Sequence, residues 1–201
     1  MGVIEDAVAA IRGGKAIVLP TDTVYGLCAT PYREDPVLRM YRLKGRPETQ
    51  PTALMASDVD MLFECVPELR GRAGTIARTL LPGPLTLVLP NPARRYRWLT
   101  GETPDKIGVR VPALAGGAAT VLAQVGAVAA TSANLRGGPE PRRLEDVAPE
   151  LRARVAAAVD GGELPGVAST VIDFTGDEPK VLREGAVTAA EAIGRLAEAL
   201  A

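Results

Sequence analysis

Short apolar runs, each closed by proline or glycine, alternate with amphipathic stretches along almost the whole chain, and this alternation restricts the fold more than any other feature. Ile4, Val8 and Ile11 recur at helical spacing until Gly13-Gly14 stops the stretch. Ala16–Leu19, ended by Pro20, reads as a buried strand. A helix is expected from Asp35-Pro36, with Asp35 as cap, to about Leu43. Residues 52–55 read as a strand, Ser57 as the cap of a short helix to Phe63, and Pro67 as the start of a helix ending before Pro82. Strands are expected over 85–89, 107–111 and 127–130, with an Ala-rich helix over 115–125 between the last two. Beyond a polar loop from Ser132 to Pro141, the pattern gives two helical stretches within 143–158 and strands over 167–174 and 179–182. Thr188 caps a closing helix with Ile193, Leu196 and Leu200 on one stripe. The result is an α/β chain with a mixed sheet, and residues 1–201 are expected to form a single domain.

Several functional classes can be set aside on composition. The chain has 201 residues, 47% hydrophobic and 23% charged, which suits one sizeable core. Its formal net charge is -1, so contact with RNA would need a local basic patch. It contains no His, which rules out a Ser-His-Asp triad and a His-bearing zinc site. Cys28 and Cys65 lack metal-ligand spacing and read as buried, reduced thiols in a cytoplasmic setting. No protein ligand set for a metal is visible. Glu5 and Asp6 take the place of a basic leader, and no apolar run reaches membrane-spanning length, so no membrane partner is expected.

Six polar stretches could carry chemistry. Pro20–Leu27 offers Thr21, Thr23 and Gly26 at a strand end, where α/β folds place ligands, although spacing alone fits a capped turn equally well. Lys44-Gly45-Arg46 can converge on an anion or simply complement a helix C-terminus. Ser132-Ala133-Asn134 with Gly137-Gly138 follows an apolar run and reads as an oxygen-binding loop or an Asx turn. Ser169-Thr170 opens another apolar run, and Arg183-Glu184-Gly185 closes a short one. Arg110 in an apolar strand requires a polar cleft or partner. There is no GxxxxGK[ST] loop and no GxGxxG.

Together these stretches resemble the YrdC-like threonylcarbamoyl-AMP synthase family. The match rests on Pro20–Leu27, Lys44–Pro47, Pro82–Thr86, Val109–Pro112, Ser132–Asn134, Ser169–Asp173 and Leu182–Gly185, in the family's order. The resemblance implies a twisted mixed sheet with flanking helices and a concave, positively lined central cavity. It implies a nucleotidyltransferase that makes threonylcarbamoyl-AMP and pyrophosphate from L-threonine, bicarbonate and ATP, with Mg2+ carried on the ATP phosphates. By position, Thr23, Met55, Arg110, Ala130 and Ser169 would hold threonine. Lys44, Arg46, Gln50, Lys106, Ser132, Asn134, Glu140 and Arg183 would hold ATP, with Lys44 and Arg46 catalytic. The sequence departs from the family at Met55, where His is common, and at Lys106, where a small hydroxyl residue is common.

The resemblance also implies tRNA or double-stranded RNA as a partner, and downstream threonylcarbamoyl-transferase proteins that modify tRNA. Longer family members carry a C-terminal second domain; none is expected here, so closure over the intermediate would fall to a loop or a partner. Two alternatives stand beside the synthase. One is a non-catalytic RNA-binding module built on Arg39, Arg42, Lys44, Arg46 and the Arg94–Trp98 cluster. The other is a paralogue that uses a different amino acid.

Overall fold

The structure, a computed structural model, describes residues 2–200, without the side chain of Leu200. The stripe expected to end on Leu200 is therefore described only for Ile193 and Leu196. The helices are α1 (Val3–Arg12), α2 (Glu34–Lys44), α3 (Val59–Cys65), α4 (Gly71–Leu80), α5 (Gly116–Val125), α6 (Pro149–Arg152) and α7 (Ala189–Leu200). The strands are β1 (Ile17–Pro20), β2 (Tyr25–Ala29), β3 (Ala53–Ala56), β4 (Leu85–Pro90), β5 (Lys106–Arg110), β6 (Ala127–Ser132), β7 (Ala157–Ala158), β8 (Thr170–Asp173) and β9 (Lys180–Arg183). They form one mixed sheet in the order β7-β1-β2-β6-β3-β5-β4-β8-β9. Pairing is parallel at β1/β7, β3/β5 and β4/β8 and antiparallel elsewhere. No described helix is long and apolar enough to cross a membrane.

The two-residue period of the strands sorts their side chains into two unequal layers. Leu27, Leu54, Leu87, Val109 and Ile172 point to one face, where α2, α3, α4 and α7 bury them in the larger core. Ile17, Leu19, Cys28, Met55 and Val128 point to the other, where α1 and α5 cover them. Those two helices reach only one half of that face. On the other half Thr86 and Val88 of β4, Gly108 and Arg110 of β5, and Val171 and Asp173 of β8 line a cavity.

Several local expectations are corrected. The turn expected over 20–27 gives way at Tyr25 to β2, an entirely buried strand. Its apolar run is broken in the sequence by Gly26, which sits against the Thr131 backbone in the neighbouring strand. The N-cap of α2 is Arg33, and Asp35 lies in the first turn, paired with Arg39. Asp58 rather than Ser57 caps α3, accepting from the Met61 amide at 2.7 Å. Helix α4 starts at Gly71, four residues after Pro67. The helical reading of 143–158 ends at Arg152, and Ala157–Ala158 joins the sheet edge beside β1. The strand expected over 167–174 is confined to Thr170–Asp173. The Thr188 cap is present, with its hydroxyl accepting from the Glu191 amide at 3.2 Å.

Candidate active site

The cavity has a volume of about 460 Å³ and draws its walls from strand ends and from the turns that follow β1 and α2. Three groups of side chains give it its chemistry.

The first surrounds Arg110. Its Nη2 donates to Asp22 Oδ1 and, at 2.7 Å, to Thr23 Oγ1. The other Asp22 oxygen accepts from the Ala113 amide at 3.0 Å. Arg110 and Asp22 side chains are 11% and 10% exposed. Arg110 Nε is buried and has no hydrogen-bond partner among the described residues. Arg110 itself lines the cavity, and a buried guanidinium N–H without a partner is uncommon in a folded chain.

Proton counting fixes what Thr23 can offer. Thr21 Oγ1 lies 2.7 Å from the Val24 carbonyl, so its one hydrogen is spent there. The 2.9 Å contact between Thr21 and Thr23 hydroxyls must then be donated by Thr23. Thr23 Oγ1 also accepts from Arg110, and what remains to it is a lone pair. Thr23 therefore keeps one lone pair and has no hydrogen left to give. Met55 and Ala130 complete this end of the cavity, with Met55 fully buried against Cys28, Ile17 and Val128. Burial pushes the Cys28 thiol up to about 12, despite the nearby Arg110 charge; an inert thiol is the result.

The second group is cationic. Gly45 ends α2 in the left-handed region (φ 69°, ψ 30°), where a side chain is strained. Arg46 lies on the cavity wall, donating to the Gln50 and Pro51 carbonyls and, at 3.4 Å, to Thr131 Oγ1. Burial pulls the Arg46 pKa down, and repulsion from Arg183 adds to it. Arg46 and Arg183 both line the cavity, and two like charges that close are relieved by an anion placed between them.

Lys44 lies off the cavity wall. Its ammonium is buried among Ser132 O (2.5 Å), Ser132 Oγ (3.2 Å), Asn134 O (2.9 Å) and Asn134 Oδ1 (2.6 Å). Asn134 also accepts from Ser132 Oγ at 2.7 Å and donates to the Gly138 carbonyl at 2.6 Å. Lys44 and Asn134 thus hold the loop that presents Ser132 and Glu140 to the cavity.

The third group lies across the floor. Lys106 pairs with Asp173 at 2.9 Å. Ser169 Oγ is 2.8 Å from Thr86 Oγ1, and Arg183 donates to Ser169 O (2.8 and 3.1 Å) and Oγ (3.1 Å). A Cβ on Gly185 would collide with the Ala168 carbonyl, so glycine lets this segment close on β8.

Of the thirteen residues named from sequence, Thr23, Met55, Arg110, Ala130 and Ser169, together with Arg46, Lys106, Ser132, Glu140 and Arg183, line the cavity. Lys44, Gln50 and Asn134 do not: Gln50 is exposed and contributes its carbonyl to Arg46. The sequence reading gave no role to Asp22, Thr86 or Asp173. All three stand inside motifs it had singled out, and their partners Arg110, Ser169 and Lys106 are remote in sequence. The Arg94–Trp98 cluster does not present free aromatics. Trp98 Nε1 donates to the Pro31 carbonyl at 2.8 Å, Tyr96 stacks edge-on to Trp98, and Arg95 pairs with Glu68.

Comparison with known proteins places most of the chain beside one family. Residues 9–185 match the Sua5_yciO_yrdC family model, described as "Telomere recombination". The chain is 38% identical over 176 residues to a threonylcarbamoyl-AMP synthase of Pyrococcus abyssi, covering 87% of this chain and 52% of that one. The crystal structure of P. abyssi Sua5 complexed with L-threonine superposes with a TM-score of 0.86 at 36% identity, covering 96% of this chain and 56% of that one. E. coli YciO superposes with a TM-score of 0.81 at 29% identity, covering 94% of this chain and 92% of that one. The chain spans about half the length of the first curated relatives it matches.

Proposed function

The chain belongs to the Sua5/YciO/YrdC family, and from that premise we propose that it is an L-threonylcarbamoyladenylate synthase. The single observation that carries the reading is the cavity itself, in which Arg110 lines the same space as Arg46 and Arg183. One end suits an amino acid and the other a nucleotide polyphosphate.

In this reading the threonine carboxylate binds Arg110, and its amine, which must shed a proton to react, donates an N–H to Thr23 Oγ1. Met55 and Ala130 close around the amino acid. Bicarbonate supplies the carbamate carbon: the amine nitrogen bonds to it and water leaves. A carbamate oxygen then attacks the α-phosphorus of ATP, and pyrophosphate departs. Arg46 and Arg183 neutralise the charge that builds on the phosphates, with Ser132 and Glu140 bordering the nucleotide. Lys44 and Asn134 act one step back by fixing the Ser132 loop. Mg2+ comes with ATP as the MgATP substrate, since Asp173, one of two cavity-lining carboxylates, is engaged by Lys106. The threonylcarbamoyl group would pass to an adenosine of tRNA through a separate transferase. The test is pyrophosphate release, expected only when threonine, bicarbonate and ATP are all present; equal release without threonine contradicts the reading.

A pH dependence follows from Lys44. Burial first, and the Arg46 charge second, pull its ammonium down from 10.5 to about 8, while Glu140 works the other way. As pH rises through about 8 the ammonium is lost, and with it the charge that clamps Ser132 and Asn134. kcat/KM for ATP is expected to fall on that limb. Arg stays charged throughout this range, so Lys44→Arg moves the fall to higher pH; an unmoved limb assigns it to another group.

A further inference from the structure

Thr86 has no place in the scheme above, and its surroundings give it one. It is a half-buried position of β4 whose side chain faces the cavity, while its neighbours Leu85 and Leu87 enter the core. A β-branched apolar residue would suit the strand equally well. The Thr86 hydroxyl has one partner among the described residues, the hydroxyl of Ser169 at 2.8 Å. Ser169 is 3% exposed.

Two hydroxyls hold two hydrogens and share one bond, so one hydrogen is left over. Arg183 decides which oxygen carries it. Its Nη2 donates to Ser169 Oγ at 3.1 Å. Accepting a charged donor makes Ser169 the better donor in turn, and its hydrogen goes to Thr86. Thr86 is then the end of the chain, with one O–H and one lone pair facing the cavity. A terminal hydroxyl with both capacities open fits a ligand group that both accepts and donates.

Resting on the synthase reading, we propose that Thr86, set by Ser169 and Arg183, is a specificity-determining residue that reads the side-chain hydroxyl of the amino-acid substrate. The three polar groups of threonine then have three complementary partners: Arg110 for the carboxylate, Thr23 for the amine and Thr86 for the hydroxyl. L-Valine, in which a methyl replaces the hydroxyl, leaves the Thr86–Ser169 chain without a partner. A site built around a hydrogen bond rejects such an analogue far better than a purely apolar pocket rejects a size change.

The experiment compares pyrophosphate release with L-threonine and with L-valine in the wild type, Thr86→Val and Thr86→Ser. The wild type is expected to prefer threonine by about 10⁴-fold or more in kcat/KM. Thr86→Val should raise the KM for threonine and narrow that preference about tenfold or more, with the KM for ATP within about twofold. Thr86→Ser keeps the hydroxyl and should keep the preference. A Thr86→Val enzyme with the wild-type preference overturns the proposal, as does a Thr86→Ser enzyme that behaves like Thr86→Val. A wild type that releases no threonine-dependent pyrophosphate defeats the synthase reading instead, and it does so in the wild-type arm alone.

Discussion

Replacing Arg46 with alanine is expected to slow pyrophosphate release by roughly 10²–10³-fold, the scale of a lost transition-state donor, and to leave the fold intact. Arg46 follows the left-handed Gly45 at the end of α2, and its side chain bonds two carbonyls and one hydroxyl. No carboxylate pairs with it among the described residues, so no ion pair neutralises its charge beside the cavity. Its removal leaves no buried charge behind, and thermal unfolding should shift little. Arg46→Lys restores the charge without the fork and should recover only part of the rate. Turnover and melting temperature measured on the same preparations check this; a wild-type rate in Arg46→Ala removes the residue from the mechanism.

Arg110→Ala should have a double effect. It removes the proposed carboxylate site and also strands Asp22, whose side chain is 10% exposed and would keep only the Ala113 amide as partner. Breaking a buried pair in this way costs about 3–5 kcal/mol, so threonine-dependent turnover and stability should fall together. The variant Asp22→Asn with Arg110→Met separates the two effects. Exchanging both charges for neutral groups of similar size is often close to neutral for stability. The double variant should regain much of the unfolding free energy and none of the threonine-dependent activity. Recovery of both would make the pair structural only.

The fold was legible where local chemistry decides it. Helix α1 ends where Gly13-Gly14 says it must, and β4 and β5 alternate core and cavity residues at the strand period. Strand β2 escaped notice because Gly26 interrupts its apolar run, and only pairing with β1 and β6 across the sheet shows it as a strand. Strand β7 is two alanines long, and nothing but pairing with β1 makes it a strand.

The site divides in the same way. Arg110, Ser132, Ser169 and Arg183 stood out because charged and polar residues beside apolar strands need a reason, and Arg46 as half of a cationic pair at a helix end. Asp22 and Thr86 did not, because their roles come from partners 88 and 83 residues away. Lys44 was expected at the phosphates beside Arg46. The helix end turns its ammonium instead onto the carbonyls of 132–134, a destination 88 to 90 residues distant. Spacing told which side chains were unusual, and three-dimensional pairing told what each one faces.

The central claim is that one cavity joins threonine, the carbon of bicarbonate and AMP. Mass spectrometry of the product formed from carbon-13 bicarbonate, L-threonine and ATP tests it most directly. The account predicts a species containing AMP, threonine and one labelled carbon, formed in equal amount with pyrophosphate. An adenylate of threonine that lacks the labelled carbon, or pyrophosphate released with no threonine-containing product, would contradict it.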